Sequence, residues 1–291
     1  PNRSQLNKSL AMYFPDGKIG RELEVIPYEE TTYNIPGAPH LALLSDLHNA
    51  DPTPVLSSLR SRRPNIICIT GDVLYGGRPE DDRSPLETQA NVLSFLHSCA
   101  SIAPTFLSLG NHEWMVDQDD LDLLSSTGVT VLDNEWTSIS IDGRKVVLAG
   151  LTSGYVTDYR AFRAESDSLV RYPRREDLYG IGGATRASAH KPETDWLPSF
   201  TSQPGYKIML SHHPEYYPLI PDSVGLILSG HAHGGQWRFF GHGVWSPGQN
   251  WWPRYTKGVY EGRLVVSAGL SNTTWVPRLF NPTEVVYIEG S

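Results

Sequence analysis

Leu41-Ala42-Leu43-Leu44-Ser45-Asp46-Leu47-His48 is a short apolar run that ends in an aspartate and a histidine one residue apart. The pattern recurs four more times along the chain. Ile66-Ile67-Cys68-Ile69 leads into Thr70-Gly71-Asp72. Thr105-Phe106-Leu107 passes through Ser108-Leu109 into Gly110-Asn111-His112-Glu113. Ile208-Met209-Leu210 leads into Ser211-His212-His213-Pro214. Leu226-Ile227-Leu228 leads into Ser229-Gly230-His231-Ala232-His233-Gly234-Gly235. Short apolar runs bounded by turn residues read as buried strands. In open α/β sheets, ligands sit beyond the carboxyl ends of the strands. The five runs therefore predict one rim that gathers Asp46, His48, Asp72, Asn111, His212, His231 and His233. Residues two apart, with one residue between them, point the same way on an extended segment. That predicts a common direction for Asp46 with His48, and for His231 with His233. Glycines 71, 110, 230, 234 and 235 predict sharp backbone turns beside these side chains.

The donor types narrow the chemistry. Imidazole, carboxylate and amide oxygen together suit Mn, Fe, Zn, Co or Ni better than Ca or Mg alone. No thiolate takes part, which excludes a structural cysteine–zinc site. Seven ligands are too many for one metal with an open position, and they fit two metals if one carboxylate bridges. Metals about 3.5–4 Å apart are a known device for in-line displacement at phosphorus. The pattern points to hydrolysis of a phosphate ester.

Asp46-Leu47-His48, Gly71-Asp72, Gly110-Asn111-His112-Glu113, the His212 segment and Gly230-His231-Ala232-His233 resemble, in order, the motifs of the calcineurin-like metallophosphoesterase superfamily. The resemblance covers residues 22–289. Further blocks are similar to the bacterial YkuE/YaeI-type phosphodiesterase branch. They are Gly230-His231-Ala232-His233-Gly234-Gly235-Gln236, Tyr255 to Tyr260, Ser267 to Leu270, and Pro277-Arg278-Leu279-Phe280-Asn281-Pro282. The resemblance implies a four-layer α/β/β/α sandwich of two mixed sheets flanked by helices. It implies two divalent metal ions per chain, Mn first, with Fe, Zn, Co, Ni or Mg as alternatives. Asp46, His48 and His233 would hold one metal, and Asn111, His212 and His231 the other, with Asp72 bridging. A metal-bridging hydroxide would attack phosphorus, and His112 would assist the leaving group. Glu113 would support a ligand or His112. The implied substrate is a phosphodiester or diphosphate, lipid- or nucleotide-linked. The alternatives are a phosphomonoesterase or protein phosphatase, or a binding scaffold that has lost its metals. All seven ligand positions and His112 keep the residue types expected of an enzyme.

The chain has 291 residues, 39% of them hydrophobic, and a net charge of −8. That hydrophobic fraction supports a sizeable core, and the ligands run from residue 46 to residue 233. Both facts favour one domain over residues 22–291 behind a flexible lead at 1–21. The acidic balance argues against broad nucleic-acid or anionic-membrane binding. Arg171, Arg174 and Arg175 form a local basic group that reads as a solvated face. No apolar run reaches the roughly 18 residues of a membrane span. The first residues lack the apolar core of a signal peptide, although relatives in the resembled branch often carry an export signal or anchor. Cys68 and Cys99 read as packed free thiols.

Residues 22–35 read as an extended strand or hairpin edge, and strands are expected at 39–45, 65–70, 103–109, 129–132, 135–141, 144–151, 205–211, 224–229, 263–268 and 284–289. Helices are expected near 53–62, 85–99, 117–126 and 157–170, with Asp142-Gly143 as a hairpin turn. Asp81-Asp82 and Asp119-Asp120 read as solvated charges near helix starts. His213 reads as a cap of the turn before Pro214, with contact to substrate as the alternative. His40, His97, His190 and His242 belong to no motif and read as surface or structural residues. Two regions are expected to tune substrate choice. One is an insertion or lid at 152–204, and the other is the aromatic stretch from Trp237 to Tyr255. That stretch reads either as an apolar wall for substrate or as a cap on the sandwich edge.

Overall fold

The structure is a computed structural model that describes residues 28–75, 84–165, 190–272 and 277–290. The expected lead at 1–21, the arginine group at 171–175, Asp81-Asp82 and residues 166–189 of the expected insertion lie outside the described residues. Among the described residues, sixteen strands follow in chain order. They are β1 (Tyr28–Asn34), β2 (Leu41–Leu44), β3 (Ile66–Ile69), β4 (Thr105–Ser108) and β5 (Thr130–Leu132). Next come β6 (Trp136–Ile141), β7 (Arg144–Leu151), β8 (Tyr206–Ser211) and β9 (Leu226–Ser229). The short strands β10 (Arg238–Phe239), β11 (His242–Gly243), β12 (Trp245–Ser246) and β13 (Asn250–Trp251) form two small hairpins. β14 (Gly258–Tyr260), β15 (Leu264–Val266) and β16 (Thr283–Glu289) complete the set.

Two six-stranded sheets result, ordered β1-β16-β2-β3-β4-β5 and β14-β15-β9-β8-β7-β6. Each is mixed. β2 to β5 run parallel and β16 joins β2 antiparallel, while β7, β8, β9 and β15 run parallel between antiparallel β6 and β14. Alternation along each strand divides the core into layers. Leu41 and Leu43 face inward with Cys68, Phe106 and Ile288, against Leu148, Leu210 and Leu228 of the other sheet. Ala42 and Leu44 face outward and pack with Val55, Leu59, Phe95 and Leu96 from helices Thr53–Arg62 and Ala90–Ile102. On the opposite flank, Val147, Met209 and Ile227 pack with Leu197, Phe200 and Tyr217. The fold is the expected four-layer α/β/β/α sandwich.

Three local departures have physical causes. The helix expected near 85–99 is two, Pro85–Thr88 and Ala90–Ile102. Gln89 leaves helical geometry at the break, and its side chain bonds both the N–H and the carbonyl of Tyr75, at 2.6 and 3.0 Å. Asp120 is buried, not solvated. It sits at the third position of helix Gln118–Ser126 and shares reciprocal side chain–backbone bonds with Asp117. Two-residue strands and β14 were absent from the expected set, because hairpins this short carry no periodic signal. The Asp142-Gly143 turn is as expected, with φ of +50° and +75° at the two positions.

The loops that follow the strands are stitched to one another. Asp46 N donates to the Gly71 carbonyl, His48 N to the Asp72 carbonyl and Asn49 N to the Val73 carbonyl, at 3.2, 3.0 and 2.9 Å. Glu113 accepts from the amides of Asp72, Leu74 and Gly110, at 2.8, 3.1 and 2.8 Å. Its carboxylate thus holds the loop after β3 against the loop after β4, and it acts on their backbone, where a contact with a ligand side chain was expected. Glu113→Ala strands three buried N–H groups and should cost about 3 kcal/mol or more in denaturant unfolding. Cys68 and Cys99 are buried and free, and burial pushes the Cys99 thiol up to about 12. A thiol alkylating reagent at pH 8 should leave the folded chain unlabelled and modify both residues after unfolding. Labelling of the native chain would contradict the packing described.

Candidate metal centre

Every expected ligand sits just beyond a strand end, and the backbone there is unusual. Asp46, His48, Asp72, His231 and His233 all take left-handed φ, at 57°, 49°, 53°, 62° and 45°. The expected extended segments are therefore not extended. Asp46 with His48, and His231 with His233, are turned toward one side by tight left-handed bends. Asp and His tolerate this region better than most residues, at about 1–3 kcal/mol each. Gly71, Gly234 and Gly235 also take positive φ, whereas Gly110 and Gly230 do not. Space explains Gly230, since a Cβ there would lie 1.8 Å from Ser45 Oγ and 2.6 Å from Asp46 Oδ2.

The side chains converge on Asp46 and Asp72, both fully buried. His48 places Nδ1 2.9 Å from the Leu74 carbonyl, which turns Nε2 to 3.8 Å from both Asp46 Oδ1 and Asp72 Oδ2. His212 does the same with the Thr70 carbonyl at 2.8 Å, and its Nε2 lies 3.0 Å from Asp72 Oδ2. His233 Nε2 is 3.5 Å from Asp46 Oδ1. His231 donates its backbone N–H to Asp46 Oδ2 at 3.2 Å. Its ring lies 5.0 Å from that of His212. Asn111 opens the turn Asn111–Glu113 and is buried. His112 donates its backbone N–H to Asp72 Oδ1 at 2.8 Å. Its ring meets His48 edge-on at 4.4 Å, with Nε2 3.8 Å from Asp72 Oδ2. With 21% of its side chain exposed, it is the member of this group that faces solvent.

The donor set fits a pair of cations. Asp46 Oδ1, His48 Nε2, Asn111 Oδ1 and His212 Nε2 are buried with no hydrogen-bond partner; the last lies close to Asp72 but out of line for a bond. Buried polar atoms without partners are strongly unfavourable, and here they point into one space. Donor atoms of Asp46, His48 and His233 lie within 4.8 Å of one another, as do those of Asp72, His212 and His231. Electrostatics agree. Burial raises the Asp46 carboxyl, but the neighbouring His233 and His48 overcome it and hold it well below the usual range. Asp72 is held low in the same way, chiefly by His212. Burial lowers the imidazoles of His231 and His233, the latter to about 4, so both keep a free lone pair at neutral pH. At His48 and His212, by contrast, burial is overcome by the Asp46 and Asp72 carboxylates, which push His212 up to about 10, so a cation would take the place of protons on those two rings.

The structure brings all seven expected ligands and His112 to the rim. It corrects the reading of His213. That ring does not cap the turn before Pro214. It is buried, with Nε2 2.8 Å from the Ser153 hydroxyl. Several supporting residues had no assigned role from sequence. Asn281 donates to the carbonyls of His233 and Gln236, at 2.7 and 3.2 Å. Ser271 Oγ donates to the Asp46 carbonyl at 2.8 Å. Arg278 Nη2 donates to the carbonyls of Ala268 and Ser271, each at 2.6 Å. The block Pro277–Pro282 was the available signal for Arg278 and Asn281. The aromatic stretch divides. Tyr255 packs into the core, while Phe239, Phe240, Trp251 and Trp252 are exposed. Among the described residues, no helix is long and apolar enough to cross a membrane.

The family model of calcineurin-like phosphoesterases matches residues 39–235. The chain is 26% identical to YpbG of Bacillus subtilis over 247 residues, which are 83% of this chain and 77% of that protein. It is 27% identical to phosphodiesterase YaeI of Escherichia coli over 183 residues, 61% of this chain and 52% of that one. Among solved structures, a dimetal phosphatase from Danio rerio aligns with a TM-score of 0.44 and 13% identity, over 80% of this chain and 88% of that one. The family match spans most of the chain and every strand-end motif from Asp46 to Gly235. The chain belongs to the calcineurin-like phosphoesterase family and is a metal-dependent phosphoric ester hydrolase.

Proposed function

We propose that this chain is a dinuclear phosphodiesterase or pyrophosphohydrolase. The observation that carries the proposal is the pair of buried donor groups, Asp46–His48–His233 and Asp72–His212–His231, side by side at one rim. In this reading Asp46, His48 and His233 hold one cation, Asn111, His212 and His231 hold the other, and Asp72 reaches both. Bound as a pair, divalent cations lower the pKa of water and neutralise phosphate charge. Mn is the first candidate, ahead of Fe, Zn, Co, Ni and Mg, since the donors mix nitrogen and oxygen.

The chain's own groups supply position and proton transfer. The carbonyls of Leu74 and Thr70 fix the ring orientations of His48 and His212. Asp72 Oδ1 accepts the His112 amide and so sets the start of the loop that carries the catalytic ring. Water adds to phosphorus, the ester P–O bond breaks, and His112 places a proton on the departing oxygen. Its partial exposure suits a group that must meet a substrate arriving from solvent.

The choice of diester over monoester is supported by the similarity to a protein named phosphodiesterase. The exposed rings of Phe239, Phe240, Trp251 and Trp252 support a substrate with an apolar or flat moiety, lipid- or nucleotide-linked. Ser153 bonds His213 beside the cluster, and the His190 carbonyl accepts from Tyr216, whose ring packs on His213. The insertion from 152 to 204 that holds both is proposed to contribute to substrate choice.

Elemental analysis of the purified chain should find two metals. Turnover of bis-p-nitrophenyl phosphate should exceed that of p-nitrophenyl phosphate and rise with added Mn. A preference for the monoester would retain the site and overturn the substrate class. Asp72→Ala should abolish turnover and weaken both metals. His112→Ala should retain both metals and lose about 10²–10⁴ in kcat on a substrate with a poor leaving group. Full activity of that variant would remove His112 from the mechanism.

A further inference from the structure

Glu215 stands beside the cluster without a role in the reading above. It lies in the 3-10 turn Pro214–Leu219, two residues after His213. Its Oε1 is 3.4 Å from His213 Nδ1 and 3.7 Å from His231 Nε2. Both carboxylate oxygens are buried without a hydrogen-bond partner, as is His213 Nδ1. A buried carboxylate is strongly unfavourable unless a charge or donor faces it. Among the described residues, the ion-pair partners facing Glu215 are these two imidazoles.

We propose that Glu215 is a positioning residue whose carboxylate accepts a hydrogen bond from the outer ring N–H of His231 and fixes that ring for the second cation. The proposal rests on His231 being a metal ligand. His231 turns Nε2 to Glu215, and it also offers a ring nitrogen within 4.8 Å of the donor atoms of Asp72 and His212. An imidazole that gives one lone pair to a cation carries its proton on the other nitrogen. A carboxylate on that proton sets the tautomer, orients the ring and raises its basicity. The present separations exceed hydrogen-bond length, so ring and carboxylate must close by about 0.8 Å. His213 backs Glu215 from the other side and is itself held by Ser153.

The same three side chains form a group able to hold a third cation. Two observations favour the positioning role. His231 would have to surrender its ring proton to serve two cations at once. The hairpin tip between β12 and β13 also closes on the gap. A Cβ at Gly248 would lie 2.3 Å from Glu215 Oε1 and 2.7 Å from His231 Nε2. That backbone occupies the approach a cation needs for its remaining ligands.

The test is Mn(II) titration of the metal-free chain, followed by metal counting and electron paramagnetic resonance. The parent should bind two equivalents and give the spectrum of a coupled pair. Glu215→Gln keeps the shape and removes the charge. It should bind the first equivalent as the parent does and the second about 10–100-fold more weakly. At a loading that pairs the ions in the parent, its spectrum should be that of isolated Mn(II). Glu215→Asp keeps the charge and should lose less, which provides a second variant if Glu215→Gln does not fold. Equal melting temperatures of the metal-free forms exclude a general loss of structure. Parent-like binding of both equivalents by Glu215→Gln overturns the proposal. Three equivalents in the parent falling to two in the variant also overturn it, in favour of a third cation. A parent that binds fewer than two equivalents overturns the dinuclear reading itself, and the positioning role with it.

Discussion

Asp46 and Asp72 are two fully buried carboxylates in one pocket, and the rest of the rim is arranged around that constraint. Like charges at this depth are unfavourable unless opposite charge and donors surround them. Imidazoles supply much of the compensation. The raised imidazoles of His48 and His212 face Asp46 and Asp72. Backbone amides supply more, from His231 to Asp46 and from His112 to Asp72. Several donor atoms lack hydrogen-bond partners, and groups able to hold cations account for them. The acidity of Asp72 also explains Glu113. That third buried carboxyl is pushed up by burial and by the Asp72 charge, while the amides of Leu74 and Asp72 oppose the rise.

Packing so many donors into one space requires a strained backbone. Five ligand residues sit in the left-handed region, a sum that a marginally stable chain can carry only if the surroundings over-determine it. The inter-sheet core and the outer helical layers give each strand a fixed end point. The loops are then tied across by the Asp46–Gly71, His48–Asp72 and Asn49–Val73 backbone bonds. The C-terminal segment closes the ring from the other side. Leu270 N bonds the Ser45 carbonyl and Asn281 bonds the His233 carbonyl. Strand pairing, loop stitching and ligand geometry are thus a single cooperative arrangement.

Much of this was legible in the chain. Apolar runs such as Ile66–Ile69 mark their strands because burial on both faces leaves no polar alternation, and the ligands follow directly. The second sheet entered through family resemblance, since lateral strand order leaves no mark on a linear pattern. Left-handed φ at Asp46 and His231 was hidden too. Alternate spacing of Asp and His fits an extended strand and a bend equally well, and only the inter-loop hydrogen bonds decide between them. Asp120 shows a similar limit. Two adjacent aspartates look alike in sequence, yet one is exposed and its neighbour is a buried cap. Glu215 was missed because its partner His231 lies sixteen residues away, counting from 215 to 231.

Rigid and adaptable parts of the site are separated by their depth of support. The ligands are anchored in six-stranded sheets with layers on both sides. The aromatic hairpins rest on two-residue strands, β10 to β13, with few ladder bonds of their own. They pack against the turn His233–Gly235, so they reach the site without bearing the load of the core. Phe240 and Trp252 sit at left-handed positions with their rings in solvent. Substitutions there remove little buried apolar area and leave the cation-binding groups untouched. In the proposed reading, the hairpins can therefore vary the substrate surface while the chemistry stays fixed at Asp46, Asp72 and His112. Gly248 is the exception. It lies in the same hairpin region, but a Cβ there would clash with Glu215 and His231, which links the adaptable surface to the metal centre at one point.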